Sequence, residues 1–331
     1  MSPQTPPRDH GGNLDAAIAR FGGTRADWID LSTGINPTPY PLPPIPADAW
    51  AALPRKSEMA ALAQAAARTY GTTLAVVPLA GAQSAIQLVP HLRAPGRARV
   101  LAPTYNEHVG ALRTMGWQVE EVAQPEALAG ADLAVVVNPN NPDGRAHAPA
   151  DLLVLAGQVG FLVVDESFAD PEPHLSLANT SDIPSNILIL RSFGKFYGLA
   201  GLRLGFALAG PEIAARLRDL AGPWPIAGPA ISVAVQALAD EAWKADTIAR
   251  LARDAARLDA LALAASWDVI GGTTLFRTYA APDAQAAQER LARARIWTRI
   301  FPYSAHWIRL GLPGPEGNWR RLSNALAGER E

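Results

Sequence analysis

The 331-residue chain contains no cysteine, which excludes disulfides, thiolate zinc sites and a cysteine nucleophile. Its six histidines are scattered, with none spaced as a ligand pair on a helix, so no metal centre is expected. Neither sign of charge dominates. Twenty-nine Lys and Arg stand against 31 Asp and Glu, a net charge of -2, and no sequence-wide positive field favours nucleic acid or an anionic membrane. Any anion site must therefore be local. No apolar run approaches the ~18 residues of a membrane helix, and the opening "MSPQTPPRDHGG" lacks the apolar core of a signal peptide. A cytoplasmic protein is the expectation.

What the chain has is apolar bulk: 49% hydrophobic against 18% charged residues, enough for a large core, in two domains or in one domain with an appendage. Residues 37–46, "PTPYPLPPIP", carry six prolines in ten and read as an extended connector. A helix is expected from about Ser57 to Tyr70, with the serine at its start and Gly71 beyond its end. Apolar runs then follow at "LAVVPLA", "RVLAP", "WQVEEV", "LAVVVN", "FLVVD", "NILIL" and "RLGFALA", most separated by helix-length segments. Short runs rich in Val, Ile and Leu between helices read as strands of a mainly parallel sheet covered on both faces. The expectation is a doubly wound α/β domain over residues 45–225, preceded by an arm (1–44). Residues 226–331 read as linking helices and a smaller α/β domain, which the arm could join.

Ligands of open sheets sit outside the carboxyl ends of the strands. After "LAVVPLA" comes "GAQ", where the amides of Gly81, Ala82 and Gln83 at a helix start could cradle an anion, although strand-to-helix turns often contain glycine anyway. Tyr105 follows "RVLAP" and suits packing or ligand stacking. "NPNNPDG", residues 138–144, has the composition of a plain loop. Asp165 ends a fully apolar run and must face a cleft, a cation or a hydrogen-bond donor; a helix cap or buried ion pair is the ordinary alternative. The next strand leads into "RSFGK". A phosphate-binding P-loop fails here, because Ile189 stands where its first glycine belongs and Phe196 where Ser or Thr must follow the lysine. A solvated loop lysine is one reading of Lys195. Its apolar flanks favour another, a partly desolvated amine able to bond a carbonyl carbon.

Tyr70, "GAQ", Tyr105, "NPNNPDG", "VVDES", "SFGK" and "GLRLGF", in this order, resemble the fold-type I pyridoxal phosphate enzymes of the aspartate aminotransferase superfamily. The opening "DHGGNLDAAIARFGG" and "WIDLSTGINP" resemble the threonine-phosphate decarboxylase branch of cobalamin biosynthesis, which is close to histidinol-phosphate aminotransferase. The resemblance implies pyridoxal 5'-phosphate as cofactor, a phosphorylated amino acid as substrate, and a homodimer with site residues shared across subunits. Lys195 would hold the cofactor aldehyde and later carry a proton. Asp165 would pair with the ring nitrogen, Asn141 would bond the ring's 3-oxygen and Tyr105 would stack on its face. Ala82, Gln83, Ser192 and Arg203 would hold the cofactor phosphate, which Tyr70 would reach from the neighbouring subunit. Arg309 would clamp the substrate carboxylate, with Arg299, His10 and Asn36 lining the same pocket. Phe168 departs from the tyrosine common in the transaminases, which again resembles the decarboxylase branch. The resemblance leaves open transamination of the histidinol-phosphate type, and a non-catalytic binding module of the same fold.

Overall fold

The computed structural model describes residues 10–328. The described residues divide into two compact units, one formed by Thr38–Leu251 and the other by those up to Pro37 together with those from Ala252 onward. The chain passes between them after Pro37 and within the helix Glu241–Ala264. Helix Gly228–Ala239, beyond residue 225, packs on the helix Lys56–Thr69 of the first unit.

The Thr38–Leu251 unit is built on a seven-stranded sheet. In spatial order its strands are Ala75–Leu79, Gly205–Ala209, Ile187–Ser192, Leu162–Asp165, Leu133–Val137, Arg97–Leu101 and Gln118–Val122. They fall on the seven apolar runs of the sequence. All pairings are parallel except those of Gly205–Ala209, which runs antiparallel to both neighbours. Every residue of Leu133–Val137 and of Leu162–Asp165 is buried, as expected for strands with helices on both faces. Each Val or Leu so enclosed contributes about 1.5–3 kcal/mol relative to exposure.

The helix expected from Ser57 begins one residue earlier and ends at Thr69. Ser57 does not cap it. Arg55 holds the cap position, its backbone N–H donating to Glu58 Oε2 at 2.7 Å and its guanidinium to Oε1 at 2.8 Å. A carboxylate three residues on, reinforced by charge, serves the cap in place of a hydroxyl that lies two residues too late.

The second unit holds a four-stranded antiparallel sheet ordered Arg299–Phe301, Ser304–Gly311, Phe276–Ala280, Asp268–Thr273. Ile29–Asp30 pairs in parallel with Ile296–Trp297, so residues ahead of the proline-rich connector share this unit with the C-terminal elements.

Candidate active site

The sheet register decides which residues meet. Val137 pairs with Asp165, Asp165 with Leu190, and Ser192 with Gly205, which in turn faces Leu79. Strands stand about 4.8 Å apart, so the segments leaving these ends are brought to one edge of the sheet. A cavity of about 200 Å³ opens there, and Gly81, Ala82, Gln83, Tyr105, Asn141, Asp165, Ser192, Lys195 and Arg203 all line it. Nine of the positions singled out from sequence thus converge within one unit.

Close backbone packing shapes the cradle. A Cβ on Gly205 would overlap the backbone nitrogen of Ala82 and lie 2.7 Å from the carbonyl carbon of Gly81. Gly81 itself has φ +82°, and a Cβ there would come within 2.8 Å of Arg203 Nη2. Two glycines therefore let the first turn of helix Ala82–Leu88 lie against the strand, with the Arg203 guanidinium beside it. Arg203 adopts the left-handed conformation at φ 51° and donates to the Ala200 carbonyl at 3.1 Å. Amides at a helix start next to a guanidinium suit a dianionic phosphate.

Asp165 is 2% exposed. Its Oδ1 accepts from Ser167 N at 3.0 Å and Ser167 Oγ at 2.5 Å, and its Oδ2 lies 2.9 Å from His108 Nε2. Burial pushes its carboxyl up, but the hydrogen bond and charge of His108, with the Ser167 bonds, outweigh burial and hold it below the usual carboxylate range. The two readings of Asp165 thus coexist: it is a buried paired carboxylate, and it lines the cavity. The Lys195 ammonium lies 5.6 Å from the ring centroid of Phe168, a residue 5% exposed. Behind this edge Arg191 pairs with Glu166 at 2.8 Å and Asp170 at 2.7 Å. The ion pairs tie two adjacent strand ends together directly beneath Asp165 and Ser192.

Tyr70 does not take the place the resemblance implies. Its hydroxyl is enclosed within its own unit, and the Arg191 guanidinium sits 4.3 Å from the centroid of its ring. An oxygen without accessible surface cannot reach a neighbouring subunit. The ring instead packs edge-on against Phe206 and covers the Arg191 cluster. Two residues that hold cavity-lining side chains had no signal in the sequence: His108, held against Asp165, and Glu107 beside it, which accepts from Gln83 Nε2 at 2.7 Å.

The other expected residues belong to the second unit. Arg299 and Arg309 are directly opposed on adjacent antiparallel strands, a like-charge pairing that costs free energy. Arg309 is 6% exposed, donates to the Ser32 carbonyl at 2.5 Å and lies over the Phe276 ring at 5.1 Å. Burial first, and the Arg299 charge second, push its pKa down to about 10, so it remains a cation at neutral pH. Asn36 is buried and His10 is exposed. His10 adjoins Gly11 and Gly12, where the Gly12 amide donates to Ser32 Oγ at 2.7 Å.

Among the described residues no group of His, Asp or Glu side chains is placed to hold a metal, and no helix is long and apolar enough to cross a membrane.

Residues 27–326 match the family model of "Aminotransferase class I and II". The chain is 45% identical to a threonine-phosphate decarboxylase of Sinorhizobium sp. over 325 residues, 96% of this chain and 97% of that protein. It is 44% identical to the threonine-phosphate decarboxylase of Pseudomonas aeruginosa over 330 residues, 98% of each. Among solved structures, histidinol-phosphate aminotransferase from Sinorhizobium meliloti, in complex with pyridoxal-5'-phosphate, superposes with a TM-score of 0.80 at 20% identity, covering 99% of this chain and 97% of that one. L-threonine-O-3-phosphate decarboxylase from Porphyromonas gingivalis gives 0.74 at 20% identity over 89% and 97%. The fold, the gathered pocket and the full-length match agree: the chain belongs to the aminotransferase class I and II family.

Proposed function

We propose that the protein is a pyridoxal phosphate-dependent decarboxylase of L-threonine O-3-phosphate, yielding (R)-1-amino-2-propanol O-2-phosphate for cobalamin synthesis. The observation that carries this is the 45% and 44% identity, across nearly the whole chain, to two threonine-phosphate decarboxylases. The pocket chemistry is compatible with the cofactor. A phosphate suits the amides of Ala82 and Gln83 with Ser192 and Arg203, and a protonated ring nitrogen suits the buried, charge-held Asp165.

When bound, the cofactor supplies a carbonyl for amine exchange and an electron-poor ring that accepts the electron pair left at the substrate α-carbon. The chain does the rest. Lys195 would hold the cofactor between turnovers, and its Nζ would carry a proton to the carbon that has lost its carboxylate. Asp165 keeps a proton on the ring nitrogen; His108 and Ser167 stabilise the ionised carboxylate that this requires. Asn141 would bond the ring's 3-oxygen and Tyr105 would pack on the ring face. Arg309 holds the substrate carboxylate and Arg299, with His10 and Asn36, its phosphate. Fixing both anionic ends selects the bond that breaks, and in this way binding energy becomes rate.

We also assign a homodimer. Leu42, Trp50 and Leu53 are 63%, 70% and 64% exposed within a dozen residues, an apolar surface that a second copy would cover. The test of function uses purified protein with pyridoxal phosphate and threonine phosphate. Carbon dioxide should be released with no 2-oxoacid present. Amine transfer that depends on an added 2-oxoacid, without carbon dioxide, would instead support a histidinol-phosphate type of activity.

A further inference from the structure

Gln83 is held from two sides by groups of the first turn of the helix Glu107–Thr114 and the residues just before it. Its amide nitrogen donates to Glu107 Oε2 at 2.7 Å, and its amide oxygen accepts from the Tyr105 hydroxyl at 3.0 Å. The same Oε2 also accepts from Gln87 Nε2 at 3.2 Å, one turn further along the Ala82–Leu88 helix. Glu107 is 7% exposed, so its side chain is packed behind the cavity-lining Gln83 rather than solvated.

We propose that Glu107 is a positioning residue that sets the orientation of the Gln83 amide and, through it, the plane of the Tyr105 ring in the pocket. A carboxylate has only acceptors, so it admits the NH2 end of Gln83 and repels the carbonyl end. With the amide fixed in that sense, the atom left facing Tyr105 is a carbonyl oxygen, and the phenol must donate to it. The ring is then tied at its hydroxyl, while the His108 imidazole stands edge-on to it at 6.3 Å and 85°. Two consecutive residues thus serve both parts of the site: Glu107 acts on the aromatic wall through Gln83, and His108 on the Asp165 carboxylate. One carboxylate oxygen also anchors two successive turns of the helix whose first amides form the cradle.

The inference rests on the reading that this pocket takes pyridoxal phosphate. Its test is a double-mutant cycle on cofactor affinity with Glu107→Gln and Tyr105→Phe, read by titration of the visible absorbance band and by its circular dichroism. Each single variant should weaken the cofactor about three- to tenfold, the loss of one hydrogen bond, and reduce the visible dichroism. The double variant should be no weaker than either single one, because both remove the same coupling. Additive losses, or wild-type affinity and dichroism in Glu107→Gln, would overturn the proposal. Should Glu107→Gln fail to fold, Gln83→Leu takes its place in the cycle with the same expectation. A wild-type protein that binds no cofactor would overturn the pocket reading itself, a result distinct from additivity.

Discussion

Replacing His108 with leucine isolates the force that keeps Asp165 ionised. The substitution fills a site 2% exposed with an apolar side chain and removes the Nε2 partner 2.9 Å from Oδ2. Burial, the largest influence on Asp165, then acts against the Ser167 bonds alone. A hydrogen bond to a charged group is worth about 1.5–3 kcal/mol. Without that bond the Asp165 pKa should rise in the variant, and the ionised carboxylate should be less favourable by about 2 kcal/mol. The sign follows from the wild-type shift. Asp165 has a folded pKa below its unfolded value, so it contributes stability above the ordinary carboxylate range near ~4, and this is lost as pH falls through the folded value. The difference between wild type and variant should therefore be full at neutral pH and shrink in acid. For a unit of this size about 2 kcal/mol corresponds to a fall of ~4–8 °C in the unfolding midpoint. Thermal unfolding of the cofactor-free protein at neutral pH and near the carboxylate range measures both. Equal midpoints at neutral pH, or a gap that does not change with pH, would refute the reasoning. His108→Gln, which keeps a donor, should recover part of the loss.

Gly205→Ala should lower stability by about 1–3 kcal/mol and weaken pyridoxal phosphate as well, since its Cβ meets the backbone of Gly81 and Ala82; unchanged cofactor affinity in a titration would contradict the cradle. Arg299→Ala should weaken threonine phosphate by roughly tenfold or more, the loss of a charge-assisted bond, yet leave the unfolding midpoint of the free protein equal or higher because it relieves the opposition to Arg309. Arg309→Ala should raise the amount of 2-oxoacid formed per carbon dioxide released, as the carboxylate is no longer fixed. Phe168→Tyr, which adds a phenol beside Lys195, should shift the same ratio towards amine transfer; an unaltered ratio in product analysis would remove Phe168 from the account of selectivity.

Much of the fold is legible because the sheet is buried on both faces. Runs such as "LAVVV" and "FLVVD" leave no helical period to compete with a strand reading, and the carboxyl-edge rule then places Asn141, Asp165 and Lys195 together. What is not legible is set by long-range contact. His108 meets Asp165 across 57 residues and Glu107 meets Gln83 across 24, while "NEHVG" alone reads as an ordinary polar helix start. Tyr70 closes a helix as expected, but only the fold brings Arg191 onto its ring and withdraws its hydroxyl from the surface. Ser57 and Arg55 differ by a local competition between hydroxyl and carboxylate. The passage between units inside the Glu241–Ala264 helix carries no break in composition, so no local signal marks it.

The chain has three lysines, Lys56, Lys195 and Lys244. Lys56 is exposed, and Lys244 is paired with Glu241 at 2.5 Å. Borohydride reduction of the protein loaded with pyridoxal phosphate fixes the cofactor carbon to whichever amine holds it, and peptide mapping by mass spectrometry then locates the bond. The account predicts one cofactor per chain on the peptide containing Lys195, and none in Lys195→Ala; a label on Lys56 or Lys244, or full labelling of Lys195→Ala, would contradict it.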